Sequence, residues 1–357
     1  MRGLLLKEWR QSGGLFCLVI LLIGAFYINH SFKVVSTYQT TLQQHASQEF
    51  QKDDQEWPLS DADFESSLKV GETTLYTYAP VVLLLLLVLG FKQSAGERFR
   101  KNDYFTYGLP QPRWRIFWAK QLAFLPLALL SIGLFSGASM WYIYMKIPEM
   151  FLPPATMAVM IVFSSLAVYF FAFELTLCLG WLCGNLIFAI LSTLLLFTSI
   201  LYLIPTGVPS IWVSIQSFVE QKSVDVLWLN NLLAGLANYA DFRSSASLIT
   251  FLILGLVCGG CAYLVHQKMT LEYDGDFIIL PKLRKPIWLF ASLYVPFTWL
   301  CYMEIYHYSG FRMIGAEQFF GMCLGTLFIL FITGIITHWL IFKTFPFSKK
   351  SRALPAK

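Results

Sequence analysis

VVLLLLLVLGF, residues 81–91, runs directly into KQSAGERFRKNDYFTYGLPQPRWRIFWAK, residues 92–120. The first stretch offers no polar side chain. The second holds seven of the chain's 26 basic residues, with two prolines and two tryptophans among them. The apolar run resumes at Leu122. A soluble core strand does not need such abrupt borders. A membrane-crossing helix followed by an aqueous loop does.

The composition agrees. Of 357 residues 57% are hydrophobic and 13% charged, against about 25% charged in a soluble domain. The mean hydropathy is +0.60. Eight apolar windows lie near the ~20 residues a helix needs to cross hydrocarbon: 13–29, 73–91, 121–144, 156–181, 186–204, 246–265, 287–303 and 319–342. The seventh is the shortest, and Pro296 interrupts it. The expected fold is therefore an all-α polytopic helix bundle of six core spans plus two more near the C-terminus.

Basic residues set the expected orientation. With the N-terminus inside, 19 Lys and Arg fall in inner segments and 7 in outer ones, so both termini are placed in the cytoplasm. Eight of the 21 acidic residues lie in the first outside loop. A multi-pass protein of the cell membrane is implied. The basic flank MRGLLLKEWRQ has no cleavage site after the first span, which reads as a retained signal-anchor.

The segments between spans divide the chain further. Residues 1–12 place Leu5, Leu6 and Trp9 along one side, so they form either an interfacial helix or a plain basic flank. A six-span core follows over 13–267, with outside loops at 31–72 and 205–247 and an inner segment at 92–120. The 31–72 loop is polar and acidic, a solvated cap that can extend the first two spans as helix. Within 205–247, the stretches Ile211–Phe218 and Val226–Leu236 are too short to span and read as helices at the outer surface. Residues 268–342 hold the two additional spans, and 343–357 form a basic tail. Asp274-Gly-Asp276 lacks the spacing of a calcium loop and reads as a turn followed by a short extended stretch.

Seven cysteines (Cys17, Cys178, Cys183, Cys258, Cys261, Cys301 and Cys323) sit in or at the edge of spans, so no disulfide framework is implied. Cys258-Gly-Gly-Cys261 lies mid-span, where Gly255 and Gly259 suit close helix packing. His266 and His338 are expected at the interface. Glu174, in YFFAFELTLCLGW, is read as the one acidic residue well inside a span. A carboxyl at that depth is either a functional group or a hydrogen-bonded structural one.

Motif chemistry is sparse. There is no H-E-x-x-H, no G-x-S-x-G and no G-x-x-x-x-G-K-[ST], so zinc or serine hydrolysis and nucleotide binding through a P-loop have no support. The regular arginines of a voltage sensor and the TVGYG filter are missing as well. The inner segment is different. Glu97, Arg98, Arg100, Lys101 and Asp103 are expected to extend the second span. Tyr104 to Gly108 break it, and Pro110 and Pro112 suit a new helix start. Trp114, Phe117 and Trp118 then share a face, while Arg113 and Arg115 point toward headgroups or a protein. This is a topology-holding loop or a docking element. Glu97, Arg98, Arg100, Lys101, Pro110, Arg113, Trp114 and Arg115 are the candidate docking residues.

This segment resembles the membrane subunit of type-2 ABC transporters, the exporter permease family. The matching residues are Glu97, Arg98, Leu109, Pro110, Arg113 and Lys120. The glycine-threonine common after the glutamate is replaced here by arginine-phenylalanine. The resemblance implies a six-span core over about residues 1–267, to which this chain adds two spans. It implies that segment 92–120 is the coupling helix, receiving motion from a cytosolic ATP-binding subunit. A second permease subunit, identical or paralogous, would complete the pathway. This chain would then be a non-catalytic transport subunit among membrane lipids. It would hold no cofactor of its own and contact no nucleic acid, while ATP and Mg sit in the partner. The alternatives are a membrane-embedded lipid-modifying enzyme and an ATP-independent transporter.

Overall fold

The computed structural model describes residues 2–50, 79–96, 108, 111–220, 245–269, 276–307 and 316–343. Among them the regular structure is helical. It consists of α1 (Arg2–Phe50), α2 (Ala79–Ser94), α3 (Arg113–Lys146), α4 (Ala155–Leu182), α5 (Leu186–Thr198), α6 (Ile204–Glu220), α7 (Ser245–Lys268), α8 (Arg284–His307) and α9 (Ala316–Phe342). Seven helical stretches among the described residues are long and apolar enough to cross a membrane. The chain is an all-α polytopic membrane protein. The expected second span is represented by α2, 16 residues long or about 24 Å. Residues 73–78 of that window lie outside the described residues, as do Val226–Leu236.

Three expected boundaries change. The separate N-terminal helix over 1–12 is replaced by one helix of 49 residues, Arg2–Phe50. At 1.5 Å per residue it measures about 73 Å, more than twice the hydrocarbon thickness, so residues 31–50 of the first outside loop begin as helix. The second change joins span five to the expected surface helix Ile211–Phe218. A five-residue π-helix, Ser199–Leu203, carries α5 into α6, and Leu186–Gln216 is a single spanning stretch. The extra residue of a π turn shifts the facing side chains without ending the helix. The third concerns Pro296, which lies inside α8 without breaking it. Neighbouring groups in a bundle can satisfy the carbonyl that a proline frees.

The described chain forms two compact units that interleave along the sequence. The first comprises residues 1–92, 114–173 and 240–256. Its core is aromatic. Phe16 and Phe124 rings lie 5.1 Å apart, Trp9 stacks on Phe124 at 6.0 Å, and Phe171 meets Phe251 at 5.9 Å. Gly255 of α7 sits where a Cβ would press on the Phe170 ring and on the backbone of Phe171. This is the close packing expected of the small-residue pattern.

The second unit comprises residues 93–113, 174–239 and 257–357. Here α8 and α9 pack together: Trp288 Nε1 donates to Gly334 O at 3.0 Å, and the Ser292 and Thr337 hydroxyls meet at 3.1 Å. α8 also packs on the π turn and α6, where the Ser199 hydroxyl bonds that of Tyr294. Lipid-sized apolar side chains such as Phe320, Leu324, Phe328 and Phe331 remain exposed along α9, as a helix facing acyl chains requires.

Candidate functional site

The inner segment enters α3 through Gln111 and Pro112, and the first helical residue is Arg113. Its guanidinium does not point away from the protein. Nη1 donates to Gln267 O at 2.8 Å and Met269 O at 2.7 Å. These carbonyls end α7, where the backbone has no internal donors left and the helix dipole is negative. Arg113 is thus a helix cap, its guanidinium on these carbonyls where the sequence pointed it toward headgroups or a protein. The next residues behave differently. Trp114, Arg115 and Trp118 are exposed, and the Arg115 guanidinium lies 5.3 Å from the Trp114 ring centre. Phe117 departs from the shared aromatic face: it is buried, edge-on to Trp118 at 5.5 Å. Glu97, Arg98, Arg100, Lys101 and Pro110 lie outside the described residues.

Lys120, expected to open the third span, is enclosed in the first unit. Its Nζ lies 4.0 Å from Glu8 Oε1 of α1, with the two side chains 2% and 4% exposed. Glu8 was not singled out by sequence because it sits among basic residues of a short polar-looking segment. The signal was there in another form. Leu4, Glu8, Ser12 and Phe16 recur every four residues and are all buried, while Leu6 and Trp9 face outward. In a bilayer the polar stripe of a helix turns inward, the reverse of the soluble rule.

Two carboxyls are buried in the helices of the second unit. Glu174 of α4 lies beside Gly259 of α7, where an added Cβ would stand 3.0 Å from its Oε2, so the glycine makes room for the carboxyl. Glu304 of α8 is 1% exposed. Its Oε2 accepts from Ser214 Oγ of α6 at 2.8 Å, and its Oε1 has no hydrogen-bond partner among the described residues. Besides Glu174, the acid read as lying well inside a span, Glu304 near the end of α8 and Glu8 of α1 are thus buried as well. Glu304 escaped notice because the hydropathy window closes at residue 303, while the helix continues to His307. His266, in the last turn of α7, is buried, with its ring 5.0 Å from that of Trp181.

Between α7 and α8 the extended stretch after Gly275 docks on the turn between α4 and α5. Cys183 and Ile278 form an antiparallel bridge, and Ile279 N donates to Leu182 O at 3.1 Å. Asp276 stands at its start. It pairs with Arg284 at 2.6 Å and with Lys343 at 2.7 Å. Lys343 follows α9 directly with a left-handed φ of 56°, a conformation that costs a residue with a Cβ roughly 1–2 kcal/mol. Asp276 is thus a clasp holding the start of α8 and the end of α9. Partial burial alone would raise its carboxyl pKa, but the hydrogen bonds and charges of Lys343 and Arg284 outweigh this and hold it below its ordinary value.

A depressed carboxylate stabilises the fold above its unfolded pKa, and the contribution is lost as pH falls through the folded value. Asp276→Asn is therefore expected to melt below the wild type above about pH 5 and together with it below about pH 2. Thermal melting of the detergent-solubilised protein across that range checks this. Parallel curves with a constant offset would remove the clasp from the account.

Among the described residues no three His, Cys, Asp or Glu side chains converge as a metal site. None of the seven cysteines, all among the described residues, forms a disulfide. What the described geometry offers is an exposed Trp114–Arg115 edge at the head of α3, and the buried carboxyls of Glu8, Glu174 and Glu304. No protein-family model, curated protein or solved structure matches the chain.

Proposed function

We propose that this chain is the membrane-spanning permease subunit of a type-2 ABC transporter, exporting a substrate with energy from ATP hydrolysed in a separate subunit. The observation that carries the proposal is segment 92–120. Its sequence is a charged stretch led by Glu97, then leucine-proline, then the basic aromatic start of α3. The polytopic helical fold and the missing P-loop are consistent with that role. The ATP-binding partner, holding ATP and Mg, docks beneath segment 92–120. A second permease subunit faces the first in the plasma membrane, and both termini are cytoplasmic.

The geometry sharpens which residues to test. Arg113 is committed to the end of α7, so its loss would disturb the fold as well as any partner. Trp114 and Arg115 are exposed and can be changed with less structural consequence. Arg115→Glu with Trp114→Ala is expected to cut the ATPase activity of the assembled complex by tenfold or more, about 1.4 kcal/mol of coupling, without changing the melting temperature of the isolated chain. Unchanged ATPase activity in that double variant counts against docking through this edge.

One observation favours a second reading, an ATP-independent transporter: Glu174 and Glu304 are both buried within spanning helices, and such carboxyls serve as proton or ion relays. Transport by the chain alone in vesicles, driven by a proton gradient and abolished by Glu304→Gln, would select it.

A further inference from the structure

A groove of about 370 Å³ runs along the first unit, lined by Arg2, Leu5, Leu6 and Trp9 of α1 and Leu122 and Ala123 of α3. The four α1 residues follow the i, i+3, i+4, i+7 spacing of a single helix face. They extend over about 10 Å of helix. Five of the six lining residues are apolar, and the one cation, Arg2, stands at the end of α1. That end also carries the unpaired N–H groups and the positive pole of the helix. The volume falls within the range of about 300–1,000 Å³ that small-molecule clefts occupy.

We propose that this groove binds one anionic phospholipid, with its phosphate on Arg2 and the start of an acyl chain along Leu5, Leu6, Trp9 and Leu122. The match of charge to one end and hydrocarbon to the other selects this occupant. A soluble anion gains nothing from five apolar side chains, and a zwitterionic lipid brings no net charge to Arg2. Behind the groove, Trp9 stacks on Phe124 and Glu8 is held by Lys120, so its wall is fixed by the core of the unit. The site is independent of the transport reading and would stand if that reading failed.

The test uses the full-length protein in nanodiscs of equal phosphatidylglycerol and phosphatidylcholine, with native mass spectrometry counting the lipids that stay bound. One retained phosphatidylglycerol is expected, enriched about fivefold over phosphatidylcholine. That is the factor from the ~1 kcal/mol that one basic residue gains at an anionic surface. Arg2→Gln should bring the ratio to about one while a lipid stays bound. Leu122→Trp should fill the groove and remove the retained lipid. Leu130→Trp, at another exposed position of α3, should behave as wild type. All three substitutions are at exposed positions, and equal melting temperatures verify that they fold. The proposal is overturned by equal retention of the two lipids in the wild type, by a preference that survives Arg2→Gln, or by Leu122→Trp behaving as Leu130→Trp. A dimer with no retained lipid would also overturn it, since a second copy would then cover the groove.

Discussion

Lys120→Met is expected to destabilise the protein by about 3–5 kcal/mol, the usual cost of removing one partner from a buried ion pair. Met matches the length of the lysine stem, so packing is largely kept. The loss comes from Glu8, whose carboxylate is left inside the bundle without its cation. Both side chains are almost fully enclosed, so water cannot take the place of the missing charge. The double variant Glu8→Leu with Lys120→Met is expected to recover most of the loss, because neither charge then has to be desolvated. Thermal melting of the solubilised protein, followed by size-exclusion of the surviving fraction, measures both. A single variant as stable as wild type, or a double variant no better than the single, would contradict a pair that joins α1 to α3. The experiment also separates two readings of Lys120, since a lysine offered to a cytosolic partner would leave the stability of the isolated chain untouched.

The second large effect is placed at Gly184, in the turn between α4 and α5. A Cβ at this position would run into the carbonyl oxygen of Asp276. That atom is backbone and cannot rotate aside. Gly184→Val is expected to cost about 3 kcal/mol and to lift the stretch 276–280 off the turn. The bridge between Cys183 and Ile278 and the Arg284 and Lys343 pairs to Asp276 would go with it. Cys183 supplies the readout, because it is buried and its backbone pairs with the stretch. Maleimide labelling, located by mass spectrometry of the peptides, should find Cys183 inert in the wild type and reactive in the variant. Labelling of Cys183 at the wild-type rate in Gly184→Val would show that the stretch does not depend on this contact.

The sequence made the membrane class plain, because a run such as residues 81–91 needs no tertiary information to be read. A hydropathy window sees only how greasy a segment is, and this set the limits of the rest. The continuation of α1 through residues 31–50 is polar and leaves no hydropathy trace, so the loop could be read as extending the first span but the end of that extension could not. The π turn at Ser199–Leu203 occurs inside an apolar run and looks like any other span. Pro296 suggested a break, but proline ends a helix only where nothing else satisfies the freed carbonyl. Gly255 and Gly259 were legible as packing residues, since small side chains at that spacing have one main use in a bilayer.

The candidate site was less legible, for a physical reason. The charge of Arg113, Lys120 and Glu8 is visible in sequence, but the partner each one chooses is not. Arg113 caps a helix end formed by residues far along the chain. Lys120 closes on Glu8 across the first unit. Arg113, a docking candidate, is half-buried on backbone carbonyls, and Lys120 is almost fully enclosed. Trp114 and Arg115 kept the exposure that docking requires. Glu304 needed the true end of α8, which extends past the apolar window.

The most direct measurement for the transport reading is the composition of the complex. The tagged chain, co-expressed with an ATP-binding subunit encoded beside it, is purified and its mass determined under native conditions. The account predicts two copies of the ATP-binding subunit with two permease subunits, and ATP hydrolysis that falls in the Trp114→Ala, Arg115→Glu variant. A chain that purifies alone, and still moves substrate across vesicles without ATP, would contradict it.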